Sequence, residues 1–168
     1  MALPSSDAAF DRALPILVLN FVPDPAAALQ QMIRVTRPGG VVAAAVWDYG
    51  HGMQMLRTFW DAAVALDPDA ARRDERHMPL CTRRSLTDLW RTHGLLDIHE
   101  QPLTIEMAFA SFDDYWQRFL GGKGPAGVYL SSLAESARQA LESRLREHLG
   151  ETGFTLEARA WAVRGIVT

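Results

Sequence analysis

Cysteine is nearly absent: Cys81 is the one thiol in 168 residues. A lone cysteine makes neither an internal disulfide nor a thiolate metal cluster, and beside Pro79 and Leu80 it reads as an ordinary small residue. There is no basic excess either, with 17 Lys and Arg against 20 Asp and Glu. The one basic cluster, Arg72-Arg73 to Arg76, is interrupted by Asp74-Glu75, which disfavours nucleic acid as a direct partner. No apolar run approaches a membrane span, and Met1-Ala2-Leu3-Pro4 lacks the basic and apolar regions of a signal peptide. The expectation is a cytoplasmic protein with no membrane partner. The five histidines form no HExxH or other close pair, and no GxSxG elbow occurs. Metal sites and triad hydrolases are therefore not indicated. Internal repeats and low-complexity tracts are also missing.

What is present is a chain with 48% hydrophobic residues, enough for one core and a single domain over residues 1–168. Ala13–Leu19 and Val41–Trp47 are continuous apolar runs, the pattern of strands buried on both faces. Between them Asp24 reads as an N-cap and Pro25 as the first helical residue. Leu29, Met32, Ile33 and Thr36 follow at helical spacing. Arg34 and Arg37 sit near the predicted C-terminus of this helix, and Pro38-Gly39-Gly40 reads as its stop. Strand, helix and strand make a right-handed crossover with parallel strands.

Further along, Met53–Leu66 has an amphipathic helical period, and Ala70–Pro79 reads as a charged linker. Thr82 is the expected cap of a helix carrying Leu86, Leu89, Trp90 and His93, closed by Gly94. From Ile98 the period becomes two, placing Leu103, Ile105, Met107 and Phe109 on one face of a strand. Ser111 opens a helix with Trp116, Phe119 and Leu120 that ends at Gly121-Gly122. Gly121–Gly127 reads as a loop, because it follows a helix and because no Ser or Thr follows Lys123 as a phosphate loop requires. Ser132 and Glu135 form a capping-box pattern before the longest helix, which ends at Gly150, and Phe154–Val167 alternates as a final strand.

The segments Asp7-Ala8-Ala9-Phe10-Asp11, Val18-Leu19-Asn20-Phe21, Pro23-Asp24-Pro25 and Arg37-Pro38-Gly39-Gly40 resemble the fourth strand, following helix and fifth strand of class I S-adenosylmethionine (SAM)-dependent methyltransferases. Val46-Trp47-Asp48-Tyr49, Phe112-Asp113-Asp114-Tyr115-Trp116 and Ala160-Trp161-Ala162-Val163-Arg164-Gly165 resemble one bacterial branch of that family. The resemblance implies an α/β fold, the C-terminal half of a Rossmann-like methyltransferase. It would have four strands, two parallel plus an antiparallel C-terminal pair, ordered first, second, last, third, with helices on both faces. It implies SAM as cofactor, with Leu14, Pro15 and Ile16 against its methionine part. Asn20 and Phe21 would border a small-molecule substrate, and Trp47, Tyr49, His51, Tyr115 and Tyr129 are candidates to line its mouth.

Methyl transfer from a sulfonium requires a positioned nucleophile, sometimes a base, and exclusion of water, so it leaves no diagnostic constellation and no catalytic residue is assigned. The family's glycine-rich turn and acidic ribose partner find no counterpart in this sequence. The expectation is therefore a truncated methyltransferase-like chain, inactive alone and binding SAM weakly or not at all. The alternative is a non-catalytic α/β scaffold or assembly module. A strand that is central in the family would have a bare edge here, which leads to the expectation of a homodimer through Ala8 to Phe21, with Pro15 removing one donor from that edge.

Overall fold

A computed structural model describes residues 3–168; Met1 and Ala2, the start of the expected non-signal N-terminus, lie outside the described residues. The first helix forms as its punctuation dictates. Asp24 accepts a hydrogen bond from the Ala27 amide at 2.9 Å, Pro25 occupies the first turn, and α1 runs over Pro25–Val35 with Leu29, Met32 and Val35 buried. It ends earlier than expected. The Thr36 hydroxyl donates to the Met32 carbonyl at 2.7 Å and the backbone turns extended, so the Arg37-Pro38-Gly39-Gly40 segment belongs to strand β2, Thr36–Trp47. Gly39 takes φ 75° there and donates to the Val167 carbonyl at 2.9 Å. A Cβ at Gly40 would lie 2.8 Å from the Asp11 carbonyl.

The other elements, in chain order, are β1 (Phe10–Ala13), α2 (Gln54–Leu66), α3 (Ser85–Thr92), β3 (Leu96–Phe109), α4 (Phe112–Leu120), α5 (Gly124–Ser132), α6 (Glu135–Leu149) and β4 (Phe154–Ile166), with short 3-10 turns at Leu19–Phe21, Pro68–Arg73 and Glu75–His77. The four strands form one sheet in the order β1-β2-β4-β3. Strands β1 and β2 are parallel, and β4 runs antiparallel to β2 from Val41↔Ile166 to Trp47↔Ala160. This is the order that the resemblance implies.

Contacts gather into two units. The first comprises the residues up to Asp48, Met78–Thr104 and Arg159–Thr168. Here the Trp90 indole, fully buried, donates to the Val42 carbonyl at 3.0 Å. Gly165 leaves room for the Trp90 ring, which a Cβ would meet at 2.9 Å. The expected cap at Thr82 is replaced by a turn in which its carbonyl accepts the Ser85 hydroxyl and amide, and Arg84, at φ 72°, precedes α3. The expected burial of the first strand on both faces is not found. Its regular part is four residues long, and Phe10, Leu14 and Ile16 are 47%, 57% and 66% exposed. Nothing among the described residues covers that edge. The apolar face expected of β3 is likewise open at Leu103 and Ile105.

The second unit comprises Tyr49–His77 and Ile105–Ala158. Phe59 stacks on Phe119 with ring centroids 4.5 Å apart and meets Trp60 and Tyr129 edge-on; Tyr115 meets Phe109 and Phe119. The expected charged linker is instead pinned by burial of its acids. Asp74 pairs with Arg57, both almost without solvent contact, and with Arg76 at 2.6 Å. Glu75 accepts the Trp60 indole N–H at 2.6 Å. The expected glycine loop runs into a helix, since α5 begins at Gly124 after Lys123. The capping box does not form either. The Ser132 hydroxyl turns back to the Tyr129 carbonyl, and Ala134 precedes α6 with no side-chain cap. The expected cap at Ser111 does form, accepting from the Asp114 amide.

Candidate functional site

Leu14, Pro15 and Ile16 do come together on one wall. They line an open groove of about 560 Å³ within the first unit, facing Ala43, Ala45, Leu103 and Ala162 across the sheet. Alternation along β2 and β4 places the small alanines here, which leaves the face shallow and concave. Its polar lining residues are His99, Glu100, Gln101 and Arg164, and three of them are engaged. His99 and Arg164 both reach Asp97, while Glu100 accepts from the Arg84 amide and the Thr87 hydroxyl.

Asn20 sits on the 3-10 turn that follows β1 and is 4% exposed. Its amide N–H donates to the Met78 sulfur at 3.3 Å, and its Oδ1 is buried without a protein partner. Such an orphaned acceptor costs stability unless a ligand or water donates to it. Phe21, next to it, is exposed. Trp47 is half-buried at the end of β2. The residue after it, Asp48, is a site feature that sequence reasoning passed over as the start of a loop. It is buried, and its Oδ2 accepts from Arg159 Nε and Nη2 at 3.0 and 2.7 Å, with Arg159 lying over the Trp161 ring. The available signal was an acid at the C-terminal end of a parallel strand, the edge at which open α/β sheets place ligands.

The remaining candidates belong to the second unit. Tyr49 is buried and His51 is exposed, each with contacts in the protein. Tyr115 is enclosed by rings, and its hydroxyl donates to the Met55 carbonyl at 3.0 Å. Burial pushes its pKa up, so the group is a neutral donor held in the core. Tyr129 is buried too, with its pKa raised by burial and by Asp67 against an offset from Arg73. Among the described residues no cluster of three or more His, Cys, Asp or Glu side chains is placed to hold a metal. No helix of the described residues is long and apolar enough to cross a membrane.

SAM is a sulfonium with a charged amino-acid end and two ribose hydroxyls. The residues on the groove wall do not fit it as a whole: Leu14, Pro15 and Ile16 offer van der Waals contact, His99, Glu100 and Arg164 are bonded to other residues, and the Gln101 amide by itself does not serve both polar ends.

Residues 2–100, more than half of the chain, match the family described as "Methyltransferase domain". Two uncharacterized mycobacterial proteins, from Mycobacterium tuberculosis strain H37Rv and from Mycobacterium bovis, are 29% identical over 102 residues. That stretch covers 58% of this chain, which spans only 37% of their length. Among solved structures, the YcgJ protein of Bacillus subtilis is similar over 98% of this chain and 67% of its own, with TM-score 0.53 at 15% identity. A SAM-dependent methyltransferase of Thermotoga maritima aligns over 99% of this chain and 60% of its own, with TM-score 0.50 at 18% identity. These likenesses show a shared Rossmann-like α/β fold. The chain belongs to the methyltransferase-domain family.

Proposed function

We propose that this chain is the substrate-facing part of a SAM-dependent methyltransferase and does not hold SAM by itself. The observation that carries the reading is the groove at Leu14, Pro15 and Ile16, an apolar wall whose charged rim residues His99, Glu100 and Arg164 are bonded to Asp97 and Thr87 outside it. A polar cofactor is fixed by a few convergent polar groups, and an apolar wall alone gives little affinity or orientation. Asn20, with its unsatisfied buried acceptor, and Trp47 are the residues assigned to the substrate side, and Asp48 paired with Arg159 braces the strand ends around them.

Isothermal calorimetry of the purified chain with SAM and with S-adenosylhomocysteine tests this. No binding tighter than about 10 μM, roughly 7 kcal/mol, is expected. Tighter binding by the lone chain would overturn the reading. One observation favours a second function, assembly: Phe10 on β1 and Leu14 and Ile16 after it are exposed at the edge of the sheet.

A further inference from the structure

A cleft of about 720 Å³ opens between α2 and α6, a volume in the range of small-molecule sites. Its lining residues all belong to the second unit, so it shares none with the groove at Leu14, Pro15 and Ile16 and none with the unit in which the chain begins. The two helices run antiparallel. Ala63 and Leu66 share a smaller cavity with Ala137, Ala140 and Leu141, while the first turns of α2 share this one with the last turns of α6. Helical spacing sets what each wall presents. Gln54, Arg57, Thr58 and Asp61 recur along one face of α2, and Arg144 and His148 stand one turn apart on α6. Ala62, Leu145 and Leu156 supply the apolar part of the lining.

The groups left unbonded in this cleft are mostly donors. Arg57 is buried and gives both Nη atoms to Asp74, while its Nε is buried without an acceptor in the protein. Such a donor costs stability until an acceptor reaches it. Arg144 is exposed and makes no ion pair among the described residues. Gln54 Oε1 accepts from the Glu157 amide at 2.6 Å, which leaves its NH2 group to donate. The Thr58 hydroxyl and the His148 ring make no hydrogen bond among the described residues. Of the two carboxylates in the lining, Asp61 is held by Arg76 at 2.6 Å, and Glu147, exposed, stands three residues after Arg144.

We propose that this cleft binds a small organic oxyanion, a carboxylate or phosphate carried on an apolar body. Asp74 offsets the charge of Arg57, so Arg144 supplies the attraction, its planar fork matching two oxygens, and Arg57 Nε and Thr58 supply directed donors. The apolar body rests on Ala62, Leu145 and Leu156. Glu147 repels the same anion and holds the affinity down.

NMR titration of the full chain at constant ionic strength tests the site, with phenyl phosphate and phenylacetate as probes and inorganic phosphate as the control without a body. Saturable shifts of the Thr58 amide and of the Arg57 and Arg144 Nε–H signals are expected, with a Kd of about 1 mM or below for at least one organic probe. The tighter of the two identifies the oxyanion. Arg144→Gln should weaken that binding about tenfold or more, and Glu147→Gln should tighten it about twofold. Both side chains are exposed and carry no bond within the described residues, so the variants keep the fold. Absence of saturable shifts by about 10 mM of either organic probe overturns the proposal. So does binding that Arg144→Gln leaves unchanged, or inorganic phosphate binding as tightly as the organic probes.

Discussion

The aromatic core of the second unit and the β1 edge of the first are built from the same kinds of residue and end in opposite states. Around Phe59 the rings of Trp60, Phe119 and Tyr129 close on one another, and even the acids Asp74 and Glu75 are buried with partners. Along β1 and the segment that follows it, Phe10, Leu14 and Ile16 stand in solvent at the edge of the sheet. An apolar run announces that its side chains are suited to burial, but not which chain performs it. The core is complete within its own unit, and no described residue covers the edge.

The largest expected difference comes from breaking each region with one substitution. Asp74→Ala leaves the Arg57 guanidinium buried and unpaired, and should destabilise the chain by about 3–5 kcal/mol in urea or thermal unfolding. Ile16→Ala in dilute solution should cost about 0.5 kcal/mol or less, because the side chain already meets water. Comparable losses at the two positions would mean that β1 is covered within the monomer.

A smaller effect is the pH dependence of the core. Burial raises the Glu75 pKa above its ordinary 4.5, against partial offsets from the Trp60 hydrogen bond and Arg57. The folded state thus prefers the protonated acid. Its contribution is fully present below 4.5 and is lost as pH rises through the folded-state value, because the unfolded chain releases this proton first. Asp74 has the opposite sign. Burial pulls its pKa up, but the hydrogen bonds from Arg57 and Arg76 outweigh it and hold the carboxyl below 3.8, so its contribution is lost as pH falls through that lower value. Glu75→Gln keeps an acceptor for Trp60 and should flatten the fall of stability above pH 4.5, measured by unfolding midpoints across the range. An unchanged slope would show that Glu75 does not titrate there.

Much of the fold was legible because the signals were local. Asp24-Pro25 set the start of α1, helical spacing over Gln54–Leu66 gave α2, and alternation over Phe154–Ile166 gave β4. The misses have a common cause, competition between local options that only tertiary contacts decide. The Ser132 hydroxyl had a choice of carbonyl or amide and took the Tyr129 carbonyl. The glycines near 124 were free to be loop or helix start. Charges at 74–76 read as solvated because their partners, Arg57 and Trp60, lie some 15 residues earlier on α2. Of the site, the wall at Leu14, Pro15 and Ile16 was legible only through resemblance. Burial of the Asn20 acceptor and the Asp48–Arg159 pair were not, since both depend on long-range partners.

Residue-resolved hydrogen exchange tests the contrast most directly. In dilute solution the Leu17 amide, bonded to Ala45, should exchange slowly, while the Arg12, Leu14 and Ile16 amides, facing outward, exchange as fast as unprotected ones. The amides of α2 and α4, in the aromatic core, should be as slow as that of Leu17 or slower. Protection of Arg12, Leu14 and Ile16 comparable to that of Leu17 would contradict an edge that the described residues leave open.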